Sequence, residues 1–287
     1  MRYGLPYKGS KNAIAEWVVD VLPEGDCFVD LFCGGGAVTH AAMLSRKWER
    51  FIMNDIDGRL PILFKDCAYG KYTTKTHPEW ISRQEFHERK ADDAYIALVW
   101  SFGNNGKDYL YGENIEEFKH AYHVLVFENN PEPLKKFGYE IKVARIESVI
   151  GRYYCYKKQI RQQTTSIQYG KHPFDLDSAV RQIEIERLQS LQSLQSDYRD
   201  VQIPASSVIY CDPPYKGTNC GKYAGFDHDA FYAWAEYQDN IYISEYWMPS
   251  QFVEIARREK TVLSAANGTS HKAVEKIFTN IKTLERM

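Results

Sequence analysis

Asp212-Pro213-Pro214-Tyr215 follows directly on Val208-Ile209-Tyr210, a short apolar run with the character of a buried strand. At the carboxyl end of such a strand, the Asp212 carboxylate and the Pro213 carbonyl are two acceptors that can face one point. The prolines stiffen the turn and remove two competing amide donors. Two convergent acceptors suit an amino group with two hydrogens. Holding both hydrogens draws the nitrogen lone pair out of conjugation with an attached purine ring and makes it a nucleophile toward an electrophilic methyl group. Tyr215 supplies a ring face on which a base can stack. Taken alone, the same four residues also make an ordinary turn.

Two further segments carry chemistry. Asp30-Leu31-Phe32-Cys33-Gly34-Gly35-Gly36 joins a strand to a helix through glycines. Such a turn lets a ligand approach the backbone and offers a helix amino terminus to a carboxylate. The phosphate-binding G-x-G-x-x-G spacing is absent, and Phe32, Gly34 and Gly36 form an F-x-G-x-G pattern that favours S-adenosylmethionine (SAM) over a dinucleotide. Asp55, 25 residues beyond Asp30, ends the next strand, where an acidic side chain can hold ribose hydroxyls. Tyr7-Lys8-Gly9-Ser10-Lys11 precedes the first helix.

The elements needed to place these residues are those of a doubly wound α/β sheet. Ser10 is expected to cap a helix carrying Ile14, Trp17, Val18, Val21 and Leu22, stopped by Pro23 and Gly25. Strands are expected at 27–32, 51–53, 208–210, 241–243 and 261–263. Helices are expected at 37–44, about 228–237 and about 271–278. Between about 66 and 189 the pattern changes to charged, aromatic-rich helices, with spans 78–90, 92–102 and 115–127. The Leu-Gln-Ser iteration at 188–196 would place its leucines near one helix face.

The 287-residue chain has a net charge of only -2, so any nucleic-acid surface must be local. Residues 135–171 provide one, with nine Lys/Arg, including Lys157, Lys158 and Arg161, against Glu140 and Glu147, interleaved with tyrosines. The six cysteines form no C-x-x-C pair and no zinc-spaced cluster, which argues against a disulfide framework and a bound metal. His120 and His123 lack a third ligand and read as surface residues. No apolar run approaches a membrane span or signal segment, so a cytoplasmic setting is expected, in a bacterial or phage-infected bacterial cell.

In that order, with a long insertion before the last, Tyr7 to Lys11, Phe32 to Gly36 with Asp55, and Asp212 to Tyr215 resemble the Dam-like (alpha-class, D12) adenine-specific DNA methyltransferases. The resemblance implies a Rossmann-like SAM-dependent methyltransferase sheet, formed by residues 1–66 and 188–287, with a mainly helical target-recognition domain inserted at 67–187. It implies SAM as cofactor, with Tyr7, Lys11, Asp30, Phe32, Gly34, Gly36, Asp55 and Asp212 around it. The implied partner is double-stranded DNA, with a cognate restriction enzyme as a further candidate. It also implies that Asn104 and Asn105 lie in an Asn/Gly-rich DNA-contacting loop, that Asp197-Tyr198 lines the cofactor adenine pocket, and that Gly217-Thr218, Tyr223 and Phe226 help enclose a flipped base. Tyr7 and Ser10 depart from the family, where Trp and Gly are frequent. The Leu-Gln-Ser iteration resembles a tract in phage-type relatives. Amino methylation of cytosine or RNA, and a DNA-binding relative without catalysis, remain as alternatives. A cytosine-carbon mechanism lacks its Pro-Cys nucleophile.

Overall fold

A computed structural model describes residues 3–7, 9–73, 77–163, 183–217, 223, 225–263 and 270–286. In chain order the helices are α1 (Ala15–Val21), α2 (Ala37–Ser45), α3 (Arg59–Ala68), α4 (Arg83–Arg89), α5 (Ala94–Val99), α6 (Glu113–Glu128), α7 (Val149–Gln163), α8 (Ile185–Gln189), α9 (His228–Glu236) and α10 (Ile281–Leu284). The strands are β1 (Cys27–Asp30), β2 (Arg50–Asn54), β3 (Leu191–Leu194), β4 (Ser207–Cys211), β5 (Ile241–Glu245), β6 (Phe252–Leu263) and β7 (Ser270–Asn280). They divide into two compact units, one of residues 1–5, 9–68 and 182–287, the other of 6–8 and 69–181.

The first unit is built on one seven-stranded sheet of order β3-β2-β1-β4-β5-β7-β6. The five strands from β3 to β5 are parallel, β7 runs against β5, and β6 pairs antiparallel with β7. This is a Rossmann-like α/β fold, in which strands buried on both faces read as unbroken apolar runs. All residues of β1, β4 and β5 are buried. The order reverses between β1 and β4, the switch point where such sheets bind ligands beyond their carboxyl ends. Register brings those ends level: Asp30 lies opposite Met53 on one side and Tyr210 on the other, and Cys211 lies opposite Ile243. Asp30, Asp55, Asp212 and Glu245 therefore end four neighbouring strands.

Three expectations about local structure need correction. Ser10 does not cap a helix: its Oγ accepts from Asn12 N at 3.3 Å, and α1 begins only at Ala15 after a turn. The Leu-Gln-Ser tract splits, with Leu188 on α8 and Leu191–Leu194 as β3 beside β2. Pairing there satisfies the donors and acceptors of the β2 edge, which outweighs a local helical preference. Residues 271–278 form part of β7, because the free edge of β5 recruits them: Tyr242 pairs with Thr279 and Glu245 with Lys276. Their apolar spacing alone fits either conformation.

The second unit is helical. A capping box at Ser82 and Glu85 starts α4 at Arg83, so the expected helix at 78–90 begins five residues late. The Asp93 side chain caps α5 by accepting from Ile96 N. Helix α6 packs Phe118, Tyr122, Leu125 and Val126 against Leu134, Tyr139, Tyr156 and Ile160. His123 is buried, not a surface residue: its ring stacks on Phe127 at 4.2 Å and Nε2 lies 2.8 Å from the Pro78 carbonyl. Burial lowers its pKa to about 4, so it stays neutral at physiological pH.

Candidate active site

The turn after β1 is held from the neighbouring strand. Asp55 Oδ2 accepts from Gly34 N at 2.9 Å, while its Oδ1 accepts from Asp57 N at 2.9 Å and Tyr223 Oη at 3.3 Å. Gly34 and Gly36 have φ of 48° and 70°, the left-handed region that glycine adopts without strain. A Cβ on Gly36 would lie 2.7 Å from Phe64 Cδ2. Gly36 is also the residue before α2 and makes no side-chain cap, so the first amides of that helix point out at the turn. Leu5 N donates to Gly35 O, and Gly4 N to His40 Nδ1, anchoring the amino-terminal segment beside the loop.

Asp30 lies beneath this turn and is 1% exposed. Its Oδ2 accepts from Thr39 Oγ1 at 2.7 Å, and its Oδ1 has no hydrogen-bond partner among the described residues. Burial pushes its pKa up to about 7, with smaller upward contributions from the Asp212 and Asp55 charges and an opposing one from Thr39. Phe32 leaves the turn for an aromatic cluster with Tyr198, Phe226 and Phe231, its ring centroid 5.4–5.7 Å from theirs.

Asp212 meets Lys11 across the switch point, with Nζ 2.8 Å from Oδ1. Burial of Lys11 works to lower its pKa, but the Asp212 and Glu275 carboxylates outweigh it and the net shift is upward. The ammonium also sits 4.6 Å from the centroid of the Tyr215 ring, a cation–π contact. Tyr215 Oη donates to Glu275 Oε2 at 2.8 Å, and its ring meets Tyr246 edge-on at 4.7 Å. The Pro214 carbonyl lies 2.8 Å from His228 Nε2, which donates in the Nε2–H tautomer. Glu245 accepts from Lys216 N at 3.1 Å and Tyr246 N at 2.7 Å, so the end of β5 braces the turn that follows β4. Burial raises the Glu245 pKa to about 7.

Three carboxyl groups, Asp212, Glu245 and Glu275, and the Lys11 ammonium thus meet at a stiffened turn, beside a glycine loop that opens a helix without a side-chain cap and a further buried carboxyl, Asp30. Residues 7–252 match the D12 class N6 adenine-specific DNA methyltransferase family. The chain belongs to that family. As a member it is an enzyme of adenine methylation, acting on DNA. It is also 25% identical over 235 residues to the Retron Ec67 DNA adenine methylase of Escherichia coli, a match covering 79% of this chain and 69% of that protein.

The structure brings Lys11, Asp30, Gly34, Gly36, Asp55 and Asp212 to one end of one sheet, with Phe32 turned into the aromatic cluster. Tyr7 is half-buried and falls in the second unit. Tyr198 is buried in the aromatic cluster, and Asp197 is held by Arg199 at 2.8 Å. Lys8, Thr218, Tyr169 and Lys171 lie outside the described residues. In the second unit, Asn104 Nδ2 donates to Leu98 O and Asn105 bonds to Asp108 Oδ2 and to the amides of Lys107 and Asp108. These bonds shape the loop that carries both asparagines. Lys158 and Arg161 are exposed on α7, and Lys157 Nζ lies 3.4 Å from Tyr153 Oη.

Sequence reasoning did not single out Thr39, Glu245, His228 or Glu275. Glu245 had a signal, its place just past the apolar core of β5, the position Asp212 holds after β4. Glu275 had none, because its segment reads as a helix. Among the described residues no group of His, Cys, Asp and Glu could hold a metal ion, five cysteines are free, and no helix is long and apolar enough to cross a membrane.

Proposed function

We propose that the methyl donor is SAM and that adenine is rotated out of the duplex into the pocket formed by Asp212, Pro213, Pro214 and Tyr215. The observation that carries the donor assignment is Asp30, a buried carboxyl with one oxygen that has no hydrogen-bond partner among the described residues, beneath a glycine turn that opens α2 without a side-chain cap. An ammonium fits that oxygen, a carboxylate fits the helix amino terminus, and ribose hydroxyls fit Asp55. SAM carries all three groups, and when bound it supplies an electrophilic methyl on a sulfonium.

The chain itself does the rest by positioning. Asp212 and the Pro213 carbonyl accept the two amino hydrogens of the base, while the Pro214 carbonyl is engaged by His228. Lys11 compensates the Asp212 charge in a setting where bare burial would cost several kcal/mol (about 3–5 for an unpartnered ion). Tyr215 stacks on the base. Asp212 takes the proton that the nitrogen must lose once it carries the methyl, and passes it to solvent. The attack is direct and in line, with no covalent enzyme intermediate.

The second unit then serves target recognition, with Lys157, Lys158 and Arg161 on α7 facing phosphates. The loop that carries Asn104 and Asn105 in the same unit is a second candidate for DNA contact, shaped by its own side-chain hydrogen bonds. The test is transfer of labelled methyl from SAM into duplexes with and without adenine. Incorporation confined to adenine-containing duplexes supports the reading, and equal incorporation into adenine-free duplexes overturns it.

A further inference from the structure

Glu275 lies past the family match, which ends at residue 252. Strand β7 runs antiparallel to β5 with Lys276 opposite Glu245, so Glu275 is the next residue out at the carboxyl end of β5. Its side chain is 1% exposed, and its Oε2 accepts from Tyr215 Oη at 2.8 Å. A buried carboxyl is costly to retain, and this one reaches the aromatic residue of the D-P-P-Y turn rather than packing among apolar neighbours.

We propose that Glu275 is a positioning residue for methyl transfer, fixing the plane of the Tyr215 ring through its hydroxyl. The proposal rests on Asp212 to Tyr215 being the catalytic segment. Tyr246 bounds the ring from one side at 4.7 Å, edge to face. That contact leaves the ring free to pivot, and the hydroxyl bond removes the pivot. Because Lys11 lies over the same ring at 4.6 Å while holding Asp212 at 2.8 Å, a displaced ring also displaces the cation on the carboxylate. Misplacement of reacting groups by about 1 Å lowers a rate by about a hundredfold.

The test uses the full chain, single-turnover transfer of labelled methyl from SAM to unmethylated plasmid DNA, and cofactor affinity measured separately. Glu275→Leu and Tyr215→Phe are each expected to slow transfer by about thirty- to a hundredfold. The double variant is expected to be no slower than the slower single, since both remove the same bond. Glu275→Gln, which keeps an acceptor for the hydroxyl, is expected within about threefold of wild type, and all affinities for SAM within about twofold. Independent, multiplicative losses in the double variant overturn the proposal, as does Glu275→Gln falling as far as Glu275→Leu. If Glu275→Leu does not fold by thermal melting, the other two single variants decide: a fast Tyr215→Phe or a slow Glu275→Gln each overturns it. Asp212→Ala in the same assay separates the two levels. Full turnover in that variant removes the underlying reading of the turn, whereas a dead Asp212→Ala beside a fast Tyr215→Phe removes only the positioning role.

Discussion

Lys11 Nζ and Asp212 Oδ1 stand 2.8 Å apart, joining the segment before the first helix to the turn after β4. The pair is largely buried, with side-chain exposures of 9% and 18%. It ties the amino-terminal segment to the carboxyl end of the parallel strands.

Lys11→Met leaves a carboxylate without its cation. Because Asp212 retains some exposure, the expected loss of stability is about 3 kcal/mol, the low end for breaking a buried pair. Urea denaturation of both proteins checks it, and an unchanged midpoint would show that solvent already compensates Asp212.

Asp30 sets a pH dependence. Its folded pKa, raised by burial from 3.8 to about 7, favours the neutral form, so its contribution to stability is fully present below about pH 4 and is lost as pH rises through 7. His40 and His123, lowered from 6.5 to about 4, run the other way. The difference between wild type and Asp30→Asn is therefore the useful quantity, and wild type is expected to lose ground to Asp30→Asn between pH 5 and 8. SAM binding has the opposite sense. A protonated Asp30 cannot pair with an ammonium, so affinity should rise toward pH 7 by at most about tenfold per unit and then level off. Affinity independent of pH from 5.5 to 8 would remove Asp30 from the cofactor site.

Gly4 and Gly9 both have positive φ, 68° and 85°, but differ in surroundings. A Cβ on Gly4 would fall 2.5 Å from the Gly35 carbonyl oxygen and 2.6 Å from Ala37 N, whereas one on Gly9 meets nothing within 4 Å. The shared backbone strain cancels in the comparison. Gly4→Ala should be less stable than Gly9→Ala by about 2 kcal/mol or more, since backbone atoms cannot move aside. Equal melting temperatures would mean that the glycine loop yields.

Replacing Lys157, Lys158 and Arg161 together with glutamine tests the DNA face of α7. Three lost phosphate contacts should flatten the slope of log affinity against log salt by roughly two to three. Fluorescence anisotropy across a salt series measures it, and an unaltered slope places the interface elsewhere.

The parallel half of the sheet was legible because its strands are buried on both faces and read as short apolar runs ending in acidic residues: Asp30, Asp55 and Asp212 were each found that way. The edges were not legible. The Leu191–Leu194 segment and β7 take their conformation from the neighbours they pair with, and a period of three or an i, i+4 apolar spacing carries no trace of that pairing. Glu275 was hidden for the same reason. His123 was misjudged because a single polar residue on a helix says nothing about the Pro78 carbonyl that satisfies it. Asn104 and Asn105 have the composition of a turn-rich loop, and their side chains bond within that turn, a role asparagine often takes.

The most direct test of the central claim is to incubate wild type and Asp212→Ala with SAM and unmethylated DNA and to map modified bases at single-nucleotide resolution. The expected result is N6-methyladenine from wild type and none from Asp212→Ala, with both proteins folded. Methyladenine from the alanine variant at the wild-type rate, or wild-type methylation placed on another base, would contradict the account.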